Sequence, residues 1–354
     1  MSIAYINRIG TARPAHDVHE PFLQFMGNSL PAGKARSVFQ RMAGRSGIGH
    51  RYSILHQNGM AEADAPGDAF YRRGAYPSTG QRMRAYAQHA PILAAQAVQA
   101  LNLQDEALSI THLVVASCTG FIAPGLDQIL ARQLGLRPDL QRTLVGFMGC
   151  SAAVPALRVA QSAVLADPQA RVLVVNLELC TLHLQETDDV EVALSFMLFG
   201  DGCTAALVTA EAQGMALGDF RAALIPQTEE LITWHIGDQG FVMHLSGQVP
   251  GKITRALRED TGFILRGEGT QAVDLWAVHG GGRTVLDAVQ AGFALPDTAL
   301  APSRAVLAGH GNMSSATVMF VLAGMLEQGQ PGQRGLAMAF GPGMVAETFR
   351  FSIQ

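Results

Sequence analysis

Three segments of this chain share one design, in which a short apolar run meets a glycine and then continues into small residues at helical spacing. In the first, residues 144–148 lead through Gly149 and Cys150 into the Ala-, Leu- and Val-rich residues 151–165. The second is LWAVHGGGRTVLDAVQAGF at 275–293, and the third is RAVLAGHGNMSSATVMFVLAGML at 304–326. Each segment predicts a strand, a turn and a helix, which limits the chain to folds that layer strands and helices.

This pattern of strands and helices occurs twice along the 354 residues. Strand-like apolar runs at 3–9, 111–121 and 171–180 precede a less hydrophobic region at 211–251, after which the second series begins. We therefore predict an α/β protein with two pseudo-duplicated layered halves. The halves are residues 1–213 and 214–354, with Cys150 and Asn312 in matching places, each after a strand and a glycine.

Cys150 is the residue that this design makes chemically notable. A turn between a strand and a helix places it at a helix N-terminus, where the helix dipole and free backbone N–H groups favour a thiolate. We predict a lowered thiol pKa and a nucleophile, although a structural cysteine in a buried turn has the same pattern. His279, before three glycines, and Asn312 complete a recurrent set of nucleophile, base and orienting donor. Asn312 equally suits a helix cap.

Composition argues against several other classes of protein. The chain is 48% apolar and 15% charged, which is enough to bury a large core. Its four cysteines are widely spaced without a C-x-x-C, so we expect neither a zinc site nor disulfides, and a reducing cytoplasmic location. A net charge of −4 argues against nucleic acid as a partner. With no signal peptide and no apolar stretch of about 18 residues evident, we expect a soluble chain without a membrane span.

One basic segment stands out in this acidic chain. Residues 34–51 carry five lysines and arginines and no acid, with Arg41 and Arg45 one helical turn apart. Such a cluster is a candidate for binding phosphates, because arginine can contact them with two N–H groups. A solvated basic helix explains the composition equally well.

Five motifs together resemble one family over nearly the whole chain. They are the GC turn at Cys150, LFGDG at 198–202, HGGG at 279–282, GNMSSA at 311–316 and FGPG at 340–343. The chain is similar to the type III polyketide synthases, the chalcone synthase-like condensing enzymes. The resemblance implies a thiolase-like αβαβα fold, a homodimer, and an acyl-CoA starter and malonyl-CoA as substrates. It implies no metal and no cofactor other than these CoA thioesters.

The resemblance also implies a role for individual residues. Cys150 takes the acyl group of the starter, and His279 stabilises its thiolate. His279 and Asn312 then hold the thioester oxygen of malonyl-CoA while carbon dioxide leaves. The remaining positions are Phe199 and Met243 as a gate, and Arg41 and Arg45 on the CoA phosphates, with Val38 where plant enzymes usually have a lysine.

Several positions of the implied cavity depart from the plant pattern. Cys118 and Cys180 replace two threonines, Ala123 replaces a methionine that crosses the dimer interface, and Trp234 stands where glycine is usual. Smaller groups open a route for an aliphatic chain, while an indole narrows another, so we expect a fatty acyl starter and an alkylpyrone or alkylresorcinol product. The other implied cavity residues are Thr119, His183 and Ser314.

Three alternatives to this function remain at this point. A ketoacyl synthase III type of enzyme has the same fold and the same cysteine, histidine and asparagine, but uses an acyl carrier protein. A thioesterase using Cys150 and His279 would release free acid from acyl-CoA. A non-catalytic acyl-CoA binding protein would function without the Cys150 thiol.

Overall fold

Fifteen strands and eleven helices make up the described part of this computed structural model, which covers residues 2–65, 67–259 and 261–354. The strands are β1 (Ala4–Ala12), β2 (His16–Asp17), β3 (Tyr52–Ser53), β4 (Met60–Ala61), β5 (Tyr71–Arg72), β6 (His112–Ser117), β7 (Gln141–Gly146), β8 (Val172–Leu179), β9 (Asp201–Thr209), β10 (Met215–Leu224), β11 (Ile232–Gly237), β12 (Gly240–Leu245), β13 (Leu275–Val278), β14 (Arg334–Gly341) and β15 (Val345–Ile353). The helices are α1 (His19–Ser29), α2 (Lys34–Ala43), α3 (Thr79–Gln99), α4 (Leu126–Gln133), α5 (Ala153–Ala166), α6 (Val190–Phe196), α7 (Val249–Glu259), α8 (Thr261–Leu265), α9 (Arg283–Phe293), α10 (Ala301–His310) and α11 (Ala316–Gln328).

Nine of the strands form one mixed sheet in the order β13-β14-β15-β10-β1-β9-β8-β6-β7. Strand β6 runs parallel to β7 and β8, and β13 runs parallel to β14, whereas the other neighbours are antiparallel. The two halves of the sheet meet where β1 pairs with β10 through only three residue pairs. This short junction lets the halves turn so that one face of each lies against the same central helices.

The alternation of side chains along the strands builds five layers. One face of both sheet halves packs against α5 and α11, whose buried residues include Val154, Leu157, Val318 and Met319. The other face of the N-terminal half packs against α3, and that of the C-terminal half against α7 and α9. Because side chains of a strand point alternately to its two faces, each strand serves both an inner and an outer core. The predicted thiolase-like αβαβα architecture is confirmed, and the division at 213/214 falls in the turn between β9 and β10.

Two details of the predicted order are wrong. Residues 304–310 belong to helix α10 and are not a strand, so Asn312 follows a helix and a glycine. Pro302 lies in the first turn of α10, where its fixed φ favours helix, and Ser303 and Leu307, four residues apart, form the buried side. The less hydrophobic region at 211–251 contains β10 and the hairpin of β11 and β12, because strands with one polar face are less apolar on average.

One helical stretch, Gly149–Ala166, is long and apolar enough by composition to cross a membrane, with a mean hydropathy of 1.2. The expectation that no stretch is long and apolar enough to span a membrane is therefore wrong for this one, by length and composition. Half of the stretch is buried, and its buried side belongs to the central core between the two halves of the sheet. Its apolar character is therefore explained by its place as a core helix.

Candidate active site

Cys150 lies on a tight turn between β7 and α5. Residues Gly149–Ser151 form one turn of 3-10 helix, and Phe147 and Gly149 adopt positive φ angles of 57° and 60°. A Cβ atom at Gly149 would lie 2.5 Å from Cδ of Pro342, so only glycine fits beside the FGPG turn. This close approach of two motifs from opposite halves fixes the cysteine at the junction between them.

His279 follows β13 and is 1% exposed. Its backbone N–H donates to the carbonyl of Met338 on β14 at 2.8 Å, which holds the residue at the end of the strand. Neither ring nitrogen has a hydrogen-bond partner among the described residues. Burial lowers the pKa of His279 to about 4. The site therefore presents a neutral imidazole whose two nitrogens are free to exchange a proton or bind a substrate.

Asn312 is held on both its backbone and its side chain. Its N–H donates to the carbonyl of Leu198 at 2.8 Å, and its own carbonyl accepts from Gly200 N–H at 3.0 Å. The side-chain Oδ1 accepts from Ser314 N–H at 2.8 Å, and Nδ2 donates to the Gly281 carbonyl at 3.1 Å. These two bonds fix the orientation of the amide and leave Nδ2 in a long hydrogen bond to Cys150 Sγ, at 4.0 Å.

A cavity with an empty volume of about 870 Å³, including the space at its opening, surrounds these three residues. Eleven of the residues predicted for the site line it: Cys150, His279, Asn312, Phe199, Met243, Cys118, Thr119, Cys180, His183, Trp234 and Ser314. Other wall residues were not predicted individually: Phe196, Ile232, Leu245, Val249, Ile253 and Val285. They have no chemical signature in the sequence and enter the cavity only through packing.

Three predicted residues do not line this cavity. Arg41 lies on α2 and Arg45 in the turn after it, both exposed. Ala123 is exposed in the loop before α4. Their implied roles concern a bound CoA and a second subunit, and they stay predictions.

The structure contradicts the predicted lowering of the thiol pKa. Burial raises the pKa of Cys150 to about 11, and the nearby Glu178 carboxyl acts in the same direction. Hydrogen bonds from the side chains of Ser314 and Asn312 act against this rise without reversing it. The loss of water around the thiol outweighs the helix terminus, because the charged form suffers most from burial. A thiolate here therefore requires a proton acceptor, and His279 is the neutral base in the same cavity.

Glu178 is a buried polar residue that the sequence analysis missed. Its carboxyl accepts hydrogen bonds from Cys118 N–H at 3.0 Å, Thr119 Oγ1 at 2.9 Å and Ser315 Oγ at 2.6 Å. Burial raises its pKa to about 7. It thus connects the Cys118 wall of the cavity to the turn after Asn312. A single acid inside the apolar run 171–180 was the signal that could have found it.

Trp234 and its neighbours build one wall of the cavity. The indole Nε1 donates to the carbonyl of Cys118 at 2.9 Å. Its ring meets His183 edge-on, with centroids 5.4 Å apart, and His183 stacks on Phe241 at 4.3 Å. The His183 ring is itself fixed, because Nδ1 accepts from Phe241 N–H at 3.0 Å and Nε2 lies 2.8 Å from the Thr119 carbonyl. This wall is held by polar contacts at several points.

A second chamber lies on the other side of Cys180, Phe196 and Phe199, which line both spaces. Its empty volume is about 440 Å³, including space open to solvent. Its other lining residues combine apolar and polar side chains: Val18, Phe22, Leu55, Gly59, Met60 and Leu184, with Arg51, Ser53, His56, Tyr71 and Thr181. Only side chains shared by both spaces separate it from the catalytic cavity.

A cysteine, a histidine and an asparagine brought together by the two halves of an αβαβα fold define a condensing enzyme of the thiolase type. The chain belongs to the chalcone and stilbene synthases, that is, to the type III polyketide synthases. The models of their N-terminal and C-terminal domains match residues 2–212 and 219–353. Enzymes of this family are acyltransferases that use acyl-CoA and malonyl-CoA and typically act as homodimers.

Individual relatives agree with this assignment. The chain is 35% identical over 304 residues to the alpha-pyrone synthesis polyketide synthase-like Pks18 of Mycobacterium tuberculosis, covering 82% of this chain and 77% of that one. It is 34% identical to bisdemethoxycurcumin synthase of Oryza sativa subsp. japonica, covering 98% and 91%. The crystal structure of PKS-I from the brown alga Ectocarpus siliculosus superposes with a TM-score of 0.88 at 31% identity, covering 100% and 99%.

Proposed function

We propose that this enzyme loads a fatty acyl group from acyl-CoA onto Cys150, extends it with malonyl-CoA and releases an alkylpyrone or alkylresorcinol-type product. The observation that carries the choice of starter is the second chamber, beyond Cys180, and the apolar side chains in its lining. The likeness to a relative named for alpha-pyrone synthesis supports the choice of product. Membership of the polyketide synthase family favours this reaction over a carrier-protein-dependent ketoacyl synthase or a thioesterase.

Loading begins with a proton transfer from the Cys150 thiol to the neutral His279. Each charge alone is disfavoured by burial, but a thiolate and an imidazolium in the same cavity attract each other, which offsets part of that cost. The thiolate attacks the carbonyl carbon of the starter thioester, and the bond to the CoA sulfur breaks. The imidazolium then gives its proton to the leaving CoA thiolate and returns to the neutral form.

Extension uses the same two side chains as donors. With His279 neutral and without protein partners, its ring N–H is available to the thioester oxygen of malonyl-CoA. The second donor is Asn312 Nδ2, whose long contact with Cys150 Sγ is weak enough to be exchanged for the substrate oxygen. Loss of carbon dioxide leaves an enolate whose oxygen these two donors stabilise. The enolate carbon then attacks the acyl thioester on Cys150, which frees the thiolate for the next transfer.

The side chamber gives the starter chain a place that does not compete with the growing polyketide. A chain attached at Cys150 reaches it by passing Cys180, a residue small enough to leave space between the two chambers. Burial of each methylene there contributes about 0.8 kcal/mol. Long starters should therefore bind better than short ones, until the chamber is filled.

A substitution at the boundary tests this use of the chamber. Cys180→Met is expected to lower kcat/KM for medium and long acyl-CoA starters by at least about tenfold, because the larger side chain closes the passage. Turnover of acetyl-CoA or hexanoyl-CoA starters should be retained, which shows that the variant is folded. Equal loss for all starters, or no loss for long ones, would contradict the proposed path of the acyl chain.

A further inference from the structure

Arg283 occupies a position that neither the motifs nor the proposed chemistry uses. It is the first residue of α9, directly after the loop that connects His279 to this helix. Gly281 and Val285, on either side of it, line the catalytic cavity. The Arg283 side chain is half exposed, at 51%. A long cationic side chain therefore emerges at the rim of the cavity wall.

Arg283 lies against the turn that follows α2. Its Nη1 donates to the Arg45 carbonyl at 3.1 Å. Its Cδ and Cγ atoms would lie 3.7 and 4.0 Å from a Cβ at Gly47, so its aliphatic part packs on this turn. Arg283 thus joins the C-terminal half of the chain to the basic segment at 34–51, next to Arg45.

Two further arginines lie in the chain close to this contact, Arg41 in the last turn of α2 and Arg45 in the turn after it. Arg41 and Arg45 are exposed and form no ion pair among the described residues. The acid nearest Arg283 is Asp287, whose carboxylate is 3.5 Å away and is also held by Arg304 at 2.7 Å. Arg41 and Arg45 therefore keep their full charge, and Arg283 shares the single carboxylate of Asp287 with Arg304, in a chain with a net charge of −4.

The same rim is coupled to the gate of the cavity. Phe39 and Ala43 of α2 pack in one cluster with Phe196 and Met197, which lie three and two residues before Phe199. A ligand held by α2 and Arg283 would thus lie on the segment that leads to Phe199, the predicted gate residue. This position fits the phosphates of a CoA ester whose thioester reaches the catalytic cavity.

We propose that Arg283 is a third phosphate-binding residue for the CoA part of the substrates, supplied by the C-terminal half of the chain. This inference rests on the proposed use of CoA thioesters. Val38, which has no charge, cannot make such a contact, and Arg283 replaces the missing cation from the other side of the rim. Arginine binds phosphate through two parallel N–H groups, so a half-exposed arginine already braced against the Arg45 turn is well suited to it.

The test compares substrates with and without phosphates. In Arg283→Gln, KM for malonyl-CoA is expected to rise about three- to tenfold with kcat little changed, and the rise should shrink at high salt. KM for malonyl-N-acetylcysteamine, which has no phosphate, should stay as in the wild type. Malonyl-3'-dephospho-CoA then identifies which phosphate is bound, because its KM is insensitive to the substitution if the 3'-phosphate is the partner. Glutamine keeps a donor for the Arg45 carbonyl, so the turn itself is preserved.

Arg334→Gln is the matched control. Arg334 is exposed at the start of β14, six residues or about 20 Å from Phe340, which lines the cavity at the other end of that strand. KM for both substrates should not change in this variant. Equal KM increases for both substrates in Arg283→Gln, or no increase for either, would overturn the proposal. If wild-type enzyme turned over N-acetylcysteamine thioesters and ignored CoA thioesters, the proposed function itself would fail instead.

Discussion

Burial raises the pKa of the Cys150 thiol and lowers the pKa of the His279 imidazole, and these two shifts determine how a thiolate can form. The thiol pKa is raised to about 11 and the imidazole pKa is lowered to about 4, so the free site is neutral at pH 7. Transfer of a proton between the two groups changes no net charge. The amount of thiolate formed this way is therefore nearly independent of pH between the two pKa values, whereas an isolated thiol ionises only as the pH rises toward its own pKa.

Alkylation of Cys150 by iodoacetamide at a series of pH values measures this difference. In His279→Ala the rate should rise about tenfold per pH unit from 7 to 9, because the thiolate fraction of a thiol with a raised pKa grows by that factor. The wild-type rate should be higher at pH 7 and depend less on pH. Cys150→Ser shows which part of the signal comes from the other three cysteines. Identical slopes in wild type and His279→Ala would exclude His279 as the proton acceptor.

Asn312→Ala separates the two half-reactions. The backbone bonds of residue 312 to Leu198 and Gly200 remain, while the side-chain donor and the Oδ1 acceptor of Ser314 N–H are lost. We expect malonyl-CoA decarboxylation to slow about 10²- to 10³-fold, as for loss of one oxyanion donor, while acyl transfer to Cys150 is partly retained. Intact-protein mass spectrometry measures the loading, and release of carbon dioxide measures the second step. An equal decrease in both would argue against a donor role specific to extension.

At the residue scale, the identity of the site residues was easier to predict from sequence than their burial and hydrogen bonding. Cys150, His279 and Asn312 each lie beside a glycine in a recognisable motif, which made all three predictable as site residues. The thiol pKa was predicted in the wrong direction, because a helix terminus is visible in the sequence and the burial of the thiol is not. Glu178 was missed for the same reason, since its role depends on hydrogen bonds from residues far apart in the chain.

At the element scale, the segment between α6 and β9 links Phe199 to Asn312. Arg51, 1% exposed, donates through Nη1 to the carbonyls of Phe196 at 3.2 Å and Phe199 at 2.8 Å, and through Nε to His19 Nδ1 at 3.0 Å. Two backbone hydrogen bonds join this segment to Asn312, because Asn312 N–H donates to the Leu198 carbonyl and Gly200 N–H donates to the Asn312 carbonyl. Arg51 is therefore a positioning residue for Phe199 and Asn312.

Arg51→Met is expected to lower the free energy of unfolding by about 2–4 kcal/mol, because it leaves two carbonyls unpaired in the interior. Chemical denaturation measures this change. Arg137→Met is the control, since Arg137 is an exposed residue paired with Asp139, and its loss should leave the free energy of unfolding little changed. A similar stability for both variants would mean that Arg51 does not hold this segment.

The hairpin of β11 and β12 carries Trp234 and Met243 opposite each other into the cavity. Its sequence is of mixed polarity, so its fold was not predicted, although both side chains were assigned to the cavity by resemblance. Trp234 fills space and is tied to the Cys118 carbonyl. The hairpin therefore sets how much room the growing polyketide has.

Trp234→Gly should enlarge the cavity and shift the products toward more malonyl extensions for a given starter. Trp234→Phe removes the hydrogen bond to Cys118 but keeps most of the wall, so its products should stay close to those of the wild type. Mass spectrometry of the products from one starter compares the three enzymes. Additional malonyl extensions in Trp234→Phe, together with no additional extensions in Trp234→Gly, would contradict this role of the indole.

At the scale of the whole molecule, the nine-stranded sheet ends in β7, whose outer edge is unpaired in the single chain. Most of its residues are exposed, with Leu144 at 58%, and Phe121 nearby at 49%. A free strand edge with apolar side chains favours pairing with a second chain. Since enzymes of this family typically act as homodimers, we expect β7 to pair with its counterpart in a second copy.

Sedimentation should give the wild-type protein twice the mass of the 37.6 kDa chain. Leu144→Arg, which adds a charge to each side of the two-fold contact, should shift the protein toward monomer. Arg334→Gln, on a strand away from this edge, should remain dimeric. A Leu144→Arg variant that is still a dimer would place the interface elsewhere.

The layered fold was predictable because it depends on apolar periodicity, which the sequence contains throughout. The prediction of a strand before Asn312 is wrong because RAVLAGH is short and apolar, so the spacing of its apolar residues does not distinguish a strand from a helix. The second chamber could not be predicted, because it is lined by residues from five separate parts of the chain. Its existence depends on packing that only the whole molecule shows.

Product analysis tests the central claim most directly. Purified enzyme is given malonyl-CoA with a ladder of straight-chain acyl-CoA starters and an aromatic acyl-CoA, and the products are identified by mass spectrometry, with Cys150→Ala as the control. We expect alkylpyrone or alkylresorcinol masses that are most abundant with medium or long starters and are lost in the control. Products from the aromatic starter only, or free acid in place of condensed product, would contradict the account.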